Sequence, residues 1–581
     1  MLTTMQKLIR HLTVITFFVA ALVQPLRAAE QAPLVDFQTR FVPAIAQHGM
    51  VSGPEPLAAE AGLAMLKRGG NAIDAAVATG FALAVTLPRA GNISGGGFML
   101  IHLAEENRQV FIDYREAAPA AATRDMFLKP DGTVDRRRAY FTHMASGVPG
   151  TVAGLIHALE NYGTLDLATV IQPAIDLAEK GFVMDVGLNM TLNSRAERLG
   201  NNPEAKRVYL PNNGQAVEIG EIFRQPDLAA TLKRIRDRGR DGFYKGKTAQ
   251  LIADDMAANG GLITLEDLAS YRAIEREPVR GSFKGFEVVS SPPPSSGGVA
   301  VLQMLNLLEP YDLKAMGHNS ADYLHHLIES MRLAYADRSL HLGDPDQTPV
   351  PTSTLISKEY ADSRRALLSN ERAGSSERIG AGKIPAPESP ETTHFTVADA
   401  AGNVVTNTYT LNFSFGAHIV VPGTGMLLNN EMDDFAARPG FPNAYGLVQG
   451  EANAVAPNRR PLSSMTPTIV FRDGKPWLAT GSPGGSLIIT AVTQTILNAM
   501  IFDMNVAAAT AAPRVHHQWQ PDKVRIEEGV SPDTIKILEL MGHETDVGRR
   551  TLGRVNAIML DDGWLFGYAD MRRPRSHVAG F

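Results

Sequence analysis

Two threonines, Thr392 and Thr410, are the residues whose placement in this chain could do chemistry. They stand at the outer ends of two runs, Thr392-Thr393-His394-Phe395-Thr396-Val397 and Val404-Val405-Thr406-Asn407-Thr408-Tyr409-Thr410, both dense in β-branched and aromatic residues. The segment between them is small, polar and carries Gly402 and Asn403, so the whole reads as a β-hairpin. A turn centred near Ala401 sets Thr392 opposite Thr410, two hydroxyls side by side. Such a pair is ordinarily a cross-strand contact and nothing more. What precedes it changes the weight: residues 373–391 are short of large apolar side chains and rich in Gly, Pro and Ser, which predicts an exposed, mobile linker. A strand that begins abruptly after such a linker suits a chain cut at Glu391-Thr392. A threonine left first in a chain carries its own base, because a free α-amine titrates at about 7.7–8.0 and can take the hydroxyl proton near neutral pH.

Five motifs in order, Thr392-Thr393-His394-Phe395-Thr396-Val397-Ala398-Asp399, Tyr409-Thr410-Leu411-Asn412, Leu427-Leu428-Asn429-Asn430-Glu431-Met432-Asp433-Asp434-Phe435, Arg460-Pro461-Leu462-Ser463-Ser464-Met465-Thr466-Pro467-Thr468 and Gly481-Ser482-Pro483-Gly484-Gly485-Ser486, resemble the γ-glutamyltranspeptidases. These are self-cleaving N-terminal-nucleophile hydrolases, and the likeness runs from about Gln47 to the C-terminus. The resemblance implies an α/β (α+β) fold, a four-layer αββα sandwich formed by two chains cut from one precursor. A large chain from about residue 29 to 391 and a small catalytic chain 392–581 would stay together as a heterodimer. Before the cut, the Thr392 hydroxyl would attack its own backbone carbonyl; after it, Thr392 would attack the γ-glutamyl amide of glutathione or a related compound. Water, or an acceptor amino acid or dipeptide, would then resolve the ester. No cofactor and no metal is implied.

The same resemblance assigns the other residues. Thr410 would orient the nucleophile, and Arg115, Ser463 and Ser464 would hold the substrate α-carboxylate, a task suited to a planar, permanently charged fork. Asn412, Glu431 and Asp434 would receive the α-ammonium; some relatives have Gln where this chain has Glu431. Gly484 and Gly485 precede an apolar helix whose first N–H groups lack intrahelical partners, and match an oxyanion hole. Tyr445, within the Gly/Pro-rich run Pro439 to Gly450, matches a lid over the bound glutamyl group. Taken singly each has a plainer reading: a strand-packing Thr, solvated acids, turn serines, a Gly-rich turn, a surface aromatic. Two rivals stand beside this reading. A related acylase would act on glutaryl side chains of β-lactam compounds, substrates without the α-ammonium; a catalytically silent binding protein would share the fold alone.

The surroundings are those of a globular protein of 581 residues, 44% hydrophobic and 20% charged, with net charge −6, which points to neither nucleic acid nor membrane surface. Lys7 and Arg10 before the apolar run Leu12–Val23, then Leu26-Arg27-Ala28-Ala29, form a signal-peptide pattern over residues 1–28, and in a bacterial cell the periplasm would be the destination. With no cysteine, stability rests on a packed core and thiol chemistry is excluded. Helical spacing predicts helices over 54–67 and, from an Asn71/Asp74 cap, to about Thr86. Strands are expected over Phe98–Leu103 and Gln109–Tyr114. The Gly95-Gly96-Gly97 run ahead of them lacks the phosphate-loop pattern and enters a strand. From Ser146 to about Asp312 the pattern reads as mostly helical, with a Thr264/Asp267 capping box. His325-His326 and His516-His517 are adjacent pairs rather than facing ligand sets, so no metal is expected from them. The basic segment Arg572-Arg573-Pro574-Arg575 is expected to alter surface charge.

Overall fold

The hairpin forms in the predicted register. In the computed structural model, which describes residues 41–379 and 392–581, strands Thr393–Asp399 and Val404–Thr410 pair antiparallel, Thr393 against Tyr409 and Ala398 against Val404. Gly402, at φ 88°, makes the turn that a side chain would strain, and Asp399 accepts the Asn403 N–H at 2.9 Å. The expected signal segment and Glu391 lie outside the described residues.

The hairpin lies inside a seven-stranded antiparallel sheet. Strand Gly49–Gly53 flanks it on one side and Gly96–Leu103 on the other. A second seven-stranded antiparallel sheet places Lys475–Gly481 between Thr468–Arg472 and Asn556–Asp561. Strand alternation sorts the side chains. Phe395, Val397, Val405 and Tyr409 enter a core with helices Pro56–Lys67, Ala72–Thr86 and Leu167–Lys180. Phe98, Leu100, Ile469, Leu478 and Ile558 belong to a second core with helices Gly297–Leu308, Ala321–His341 and Leu487–Met500. The layers run helices, sheet, sheet, helices, the αββα sandwich that the resemblance implied.

Helix Ala72–Thr86 is buried along its whole length, so its Ala-rich sequence has no polar face to show. Its start is the expected capping box of Asn71 and Asp74, and Thr264 with Asp267 makes the other. Near Thr392 the two sheets are joined by polar contacts. Asn556 Nδ2 donates to the His394 carbonyl at 2.6 Å, and Thr406 Oγ1 donates to the Thr480 carbonyl at 3.2 Å.

Four expectations are corrected. The mostly helical stretch contains strands Ile274–Arg276, Val279–Phe283 and Phe286–Ser290. The last two form a hairpin over Lys284 and Gly285, both at positive φ, closed by the pair Phe283 and Phe286. The linker's first residues are anchored: Ala373 N–H donates to the Met541 carbonyl at 2.8 Å, and Trp519 Nε1 to that of Ser376 at 3.0 Å. His516 lies on strand Val515–His516, so helical geometry does not describe that pair. The basic C-terminal segment is tied inward, with Arg572 paired to Glu527 at 2.6 Å and Arg575 to Glu55 at 3.0 Å.

Candidate active site

Thr392 sits just before the first paired residue of its strand and is 5% exposed. It lines a small cavity of about 20 Å³ together with Arg115, Thr410, Asn412, Glu431, Asp434, Tyr445, Ser463, Ser464 and Gly485. These positions come from seven separate stretches of sequence. Of the predicted set, Gly484 alone stands off the wall, one residue behind Gly485.

Thr410 ends the hairpin's second strand. The close approach of Gly95 makes room for it, since a Cβ there would meet the Thr410 carbonyl at 1.9 Å. This is the work of the glycine run that resembles a phosphate loop. Asn92 Nδ2 donates to that carbonyl at 2.9 Å, and Thr410 Oγ1 accepts the Asn412 N–H at 2.8 Å. Asn412 is held at φ 73°, a conformation that costs an ordinary residue of order 1–3 kcal/mol. The carbonyl of Asn430 accepts its Nδ2 at 2.9 Å.

Tyr445 closes over this corner. Its hydroxyl donates to the Asn412 carbonyl at 2.9 Å and also meets Asn412 Oδ1. Its ring lies directly on Gly485, where a Cβ would stand 2.6 Å from Cδ1. Gly484 and Gly485 have φ 137° and 56°, and no protein acceptor among the described residues takes either N–H. Helix Leu487–Met500 starts directly beyond, adding the partial positive charge of its N-terminus.

Arg115 is fully buried among acids. It pairs with Glu431 and Asp434, and Glu116 lies at 3.4 Å. Burial opposes the Arg115 charge, but Glu431 and Asp434 outweigh it and raise its pKa. Burial also pushes Glu431 well above the usual carboxylate range, against the pull of Arg115. Glu116 is pushed up by burial to about 7. Glu116 Oε1 and Glu431 Oε2 have no hydrogen-bond partner among the described residues. His394, two residues from Thr392, is no base. Burial holds its pKa down to about 3, and its ring nitrogens meet Thr408 Oγ1 at 2.8 Å and Thr396 Oγ1 at 3.1 Å.

Sequence reasoning missed two charged members of the site. Arg338 lines the cavity behind Ser464, and Glu116 adjoins Arg115; neither lies in a motif, and only a charge on a buried helix hinted at Arg338. Among the described residues, His325, Glu329 and His543 also cluster. Their geometry is a relay: His325 Nδ1 and His543 Nε2 lie 2.8 Å apart, and Arg332 Nη2 binds Glu329 at 3.1 Å. A cation there would meet the Arg332 charge.

The fold and this cavity define an N-terminal-nucleophile hydrolase architecture, with a threonine at the head of a central strand facing paired glycines. Within that class the chain belongs to the γ-glutamyltranspeptidase family, whose model matches residues 58–580. It is 49% identical over 558 residues to a glutathione hydrolase proenzyme of Escherichia coli (strain K12), covering 95% of this chain and 96% of that one. A cephalosporin acylase from Bacillus halodurans is similar in structure, with TM-score 0.82 at 28% identity over 95% of this chain and 98% of its own. A γ-glutamyltranspeptidase of Helicobacter pylori has TM-score 0.55 at 44% identity, covering 59% of this chain and 96% of that chain. Among the described residues no helix is long and apolar enough to cross a membrane.

Proposed function

We propose that the protein is a self-cleaving γ-glutamyltransferase and glutathione hydrolase. The observation that carries this is the single cavity in which Thr392 meets both halves of an amino-acid clamp, Arg115, Ser463 and Ser464 beside Asn412, Glu431 and Asp434. Cleavage at Glu391-Thr392 would yield chains 29–391 and 392–581, which remain a heterodimer, exported to the periplasm if the source is a bacterium. The freed α-amine takes the Thr392 hydroxyl proton as Oγ bonds to the γ-carbonyl carbon. Negative charge collects on the carbonyl oxygen, where the Gly484 and Gly485 N–H groups receive it. The C–N bond then breaks, the amine returns the proton to the leaving nitrogen, and a γ-glutamyl ester remains. Water or an acceptor amine reverses these moves at the ester. Thr410 orients the nucleophile, and Tyr445 limits solvent access from above. None of these steps calls on a cofactor.

The structural likeness to a cephalosporin acylase supports a second reading, action on glutaryl amides. A glutaryl group keeps the carboxylate and lacks the α-ammonium, so the acids Glu431 and Asp434 favour γ-glutamyl donors. The deciding experiment pairs denatured mass with turnover. Wild-type protein should appear as two chains, the smaller beginning at Thr392, and should hydrolyse a γ-glutamyl anilide faster than the glutaryl analogue. Thr392→Ala should remain one inactive chain. An uncut wild-type chain would reduce the reading to binding, and equal rates on the two anilides would favour the acylase.

A further inference from the structure

Arg338 is a buried cation with no ion-pair partner among the described residues. It lies in the last turns of helix Ala321–His341, is 1% exposed and lines the cavity of Thr392. Its Nε donates to Ser296 Oγ at 2.9 Å and its Nη2 to Ser464 Oγ at 3.2 Å. Nη1 finds no acceptor among the described residues. Among the described carboxylates only Asp434 acts on it, and that group is already paired with Arg115. Burial lowers its pKa to about 10, which leaves it charged at neutral pH. Leaving a buried charge unpaired costs several kcal/mol, so a fold that keeps one beside its cavity gains from an anion that arrives there.

The hydrogen-bond polarity adds a second argument. A guanidinium only donates, so Ser464 Oγ must accept from Arg338 and its own proton is left to donate. Ser463 is set the same way, because its Oγ accepts the Met465 N–H at 3.1 Å. Ser296, which accepts from Arg338, donates in turn to the Ser463 carbonyl at 2.6 Å. Arg338 therefore stands directly behind the Ser464 hydroxyl and, through Ser296, behind the Ser463 backbone, while both serines keep a hydroxyl proton for an acceptor in the cavity. Two such donors beside an uncompensated positive charge suit a carboxylate and do not suit a neutral or cationic group.

We infer that Arg338 is the positioning residue that makes a carboxylate on the donor's acyl chain a requirement, by holding Ser464 as a donor and supplying unneutralised charge behind it. This rests on the proposed reading of the cavity, in which Ser463 and Ser464 meet the α-carboxylate. The class of donor it selects is a five-carbon acyl group ending in a carboxylate; the four-carbon acyl group left when that carboxylate is removed is disfavoured.

The test compares γ-glutamyl anilide with 4-aminobutyryl anilide, the same donor without the carboxylate, on the processed wild-type protein and on Arg338→Met. Wild type should prefer the carboxylate donor. The Met variant should lose that preference by roughly tenfold to a hundredfold, the worth of a charge-assisted hydrogen bond. The loss should come through KM for the γ-glutamyl donor, with kcat within about threefold of wild type. A merely structural role would lower both donors together, and that result, or an undiminished preference, overturns the inference. No preference in wild type would instead overturn the reading of the clamp itself, and the inference with it. Should the Met variant fail to mature, Arg338→Lys keeps the charge but lacks the fork that reaches Ser296 and Ser464 together. A KM rise for the γ-glutamyl donor alone is then expected, and equal losses on both donors overturn the proposal.

Discussion

Arg115 and Asp434, which the proposed mechanism assigns to opposite charges of one substrate, are ion-paired to each other. On that proposal substrate would exchange partners with the pair: its carboxylate would take over part of the Arg115 fork, and its ammonium would take over Asp434. The buried charges stay compensated before and after binding, which avoids the cost of an isolated ion in a dry site.

Replacing Asp434 by Asn breaks this exchange on one side. The variant should still mature, since Asp434 has no part in the attack on the backbone. Its kcat/KM for a γ-glutamyl anilide should fall roughly tenfold to a hundredfold, while the glutaryl analogue should change far less. Steady-state kinetics on both donors check this, and parallel losses would remove Asp434 from ammonium recognition.

Glu116 sets a pH dependence of stability. Its folded pKa is raised by burial from the ordinary 4.5 to about 7, so the folded state binds this proton more tightly than the unfolded state. The stabilisation is complete below pH 4.5 and is lost as pH rises through 7. Glu116→Gln, neutral throughout, should flatten this part of the curve, by on the order of 1–3 kcal/mol across the window. Urea unfolding of both proteins between pH 4.5 and 8 measures it; parallel curves would mean that Glu116 is ionised throughout.

Gly485→Ala places a methyl group 2.6 Å from the Tyr445 ring, at a backbone angle that disfavours side chains. The loop must shift and take its N–H away from the developing oxyanion. A fall in kcat of roughly 10²–10³ is expected, with far-ultraviolet circular dichroism unchanged. Wild-type kcat in this variant would show that Gly485 N–H does not meet the oxyanion.

Tyr445→Phe removes the bond that fastens the 439–450 loop to Asn412. At about 1 kcal/mol for one hydrogen bond, the loop should open roughly fivefold more often. Limited proteolysis within 439–450 should quicken accordingly and donor KM should rise, with processing unaffected. Unchanged cleavage rates would mean that the loop is held by its other contacts, ring packing on Gly485 among them.

The sequence revealed the site unevenly. The Thr393–Thr410 register was readable because two β-rich runs flank a Gly/Asn turn, a local signal that tertiary packing had no reason to override. The motif residues were readable only together, since a buried Glu431 and a solvated glutamate look alike in a string of letters. Arg338 was readable only as one charge on a helix that the structure buries. It meets Ser464 across 126 positions of chain, and nothing beside it in sequence marks that meeting. The strands between Ile274 and Ser290 were hidden because polar residues interrupt them, leaving a pattern that fits a surface helix as well. The ordered start of the linker depends on Trp519 and Asp522, which lie far along the chain.

The helix Ala321–His341 reaches three parts of the site on the far side of Thr392. Tyr335 bonds to the Ser486 carbonyl, Arg338 to Ser464 at 3.2 Å, and the Ser339 carbonyl accepts the Gly450 N–H at 2.9 Å. Strand Thr393–Asp399 is likewise seated against Gly49–Gly53, and Val404–Thr410 against Gly96–Leu103. A cut before Thr392 would therefore give two polypeptides and still only one folding unit. Neither piece could be borrowed from a relative without the other, and substitutions on the two sides of the cut must be inherited as matched sets.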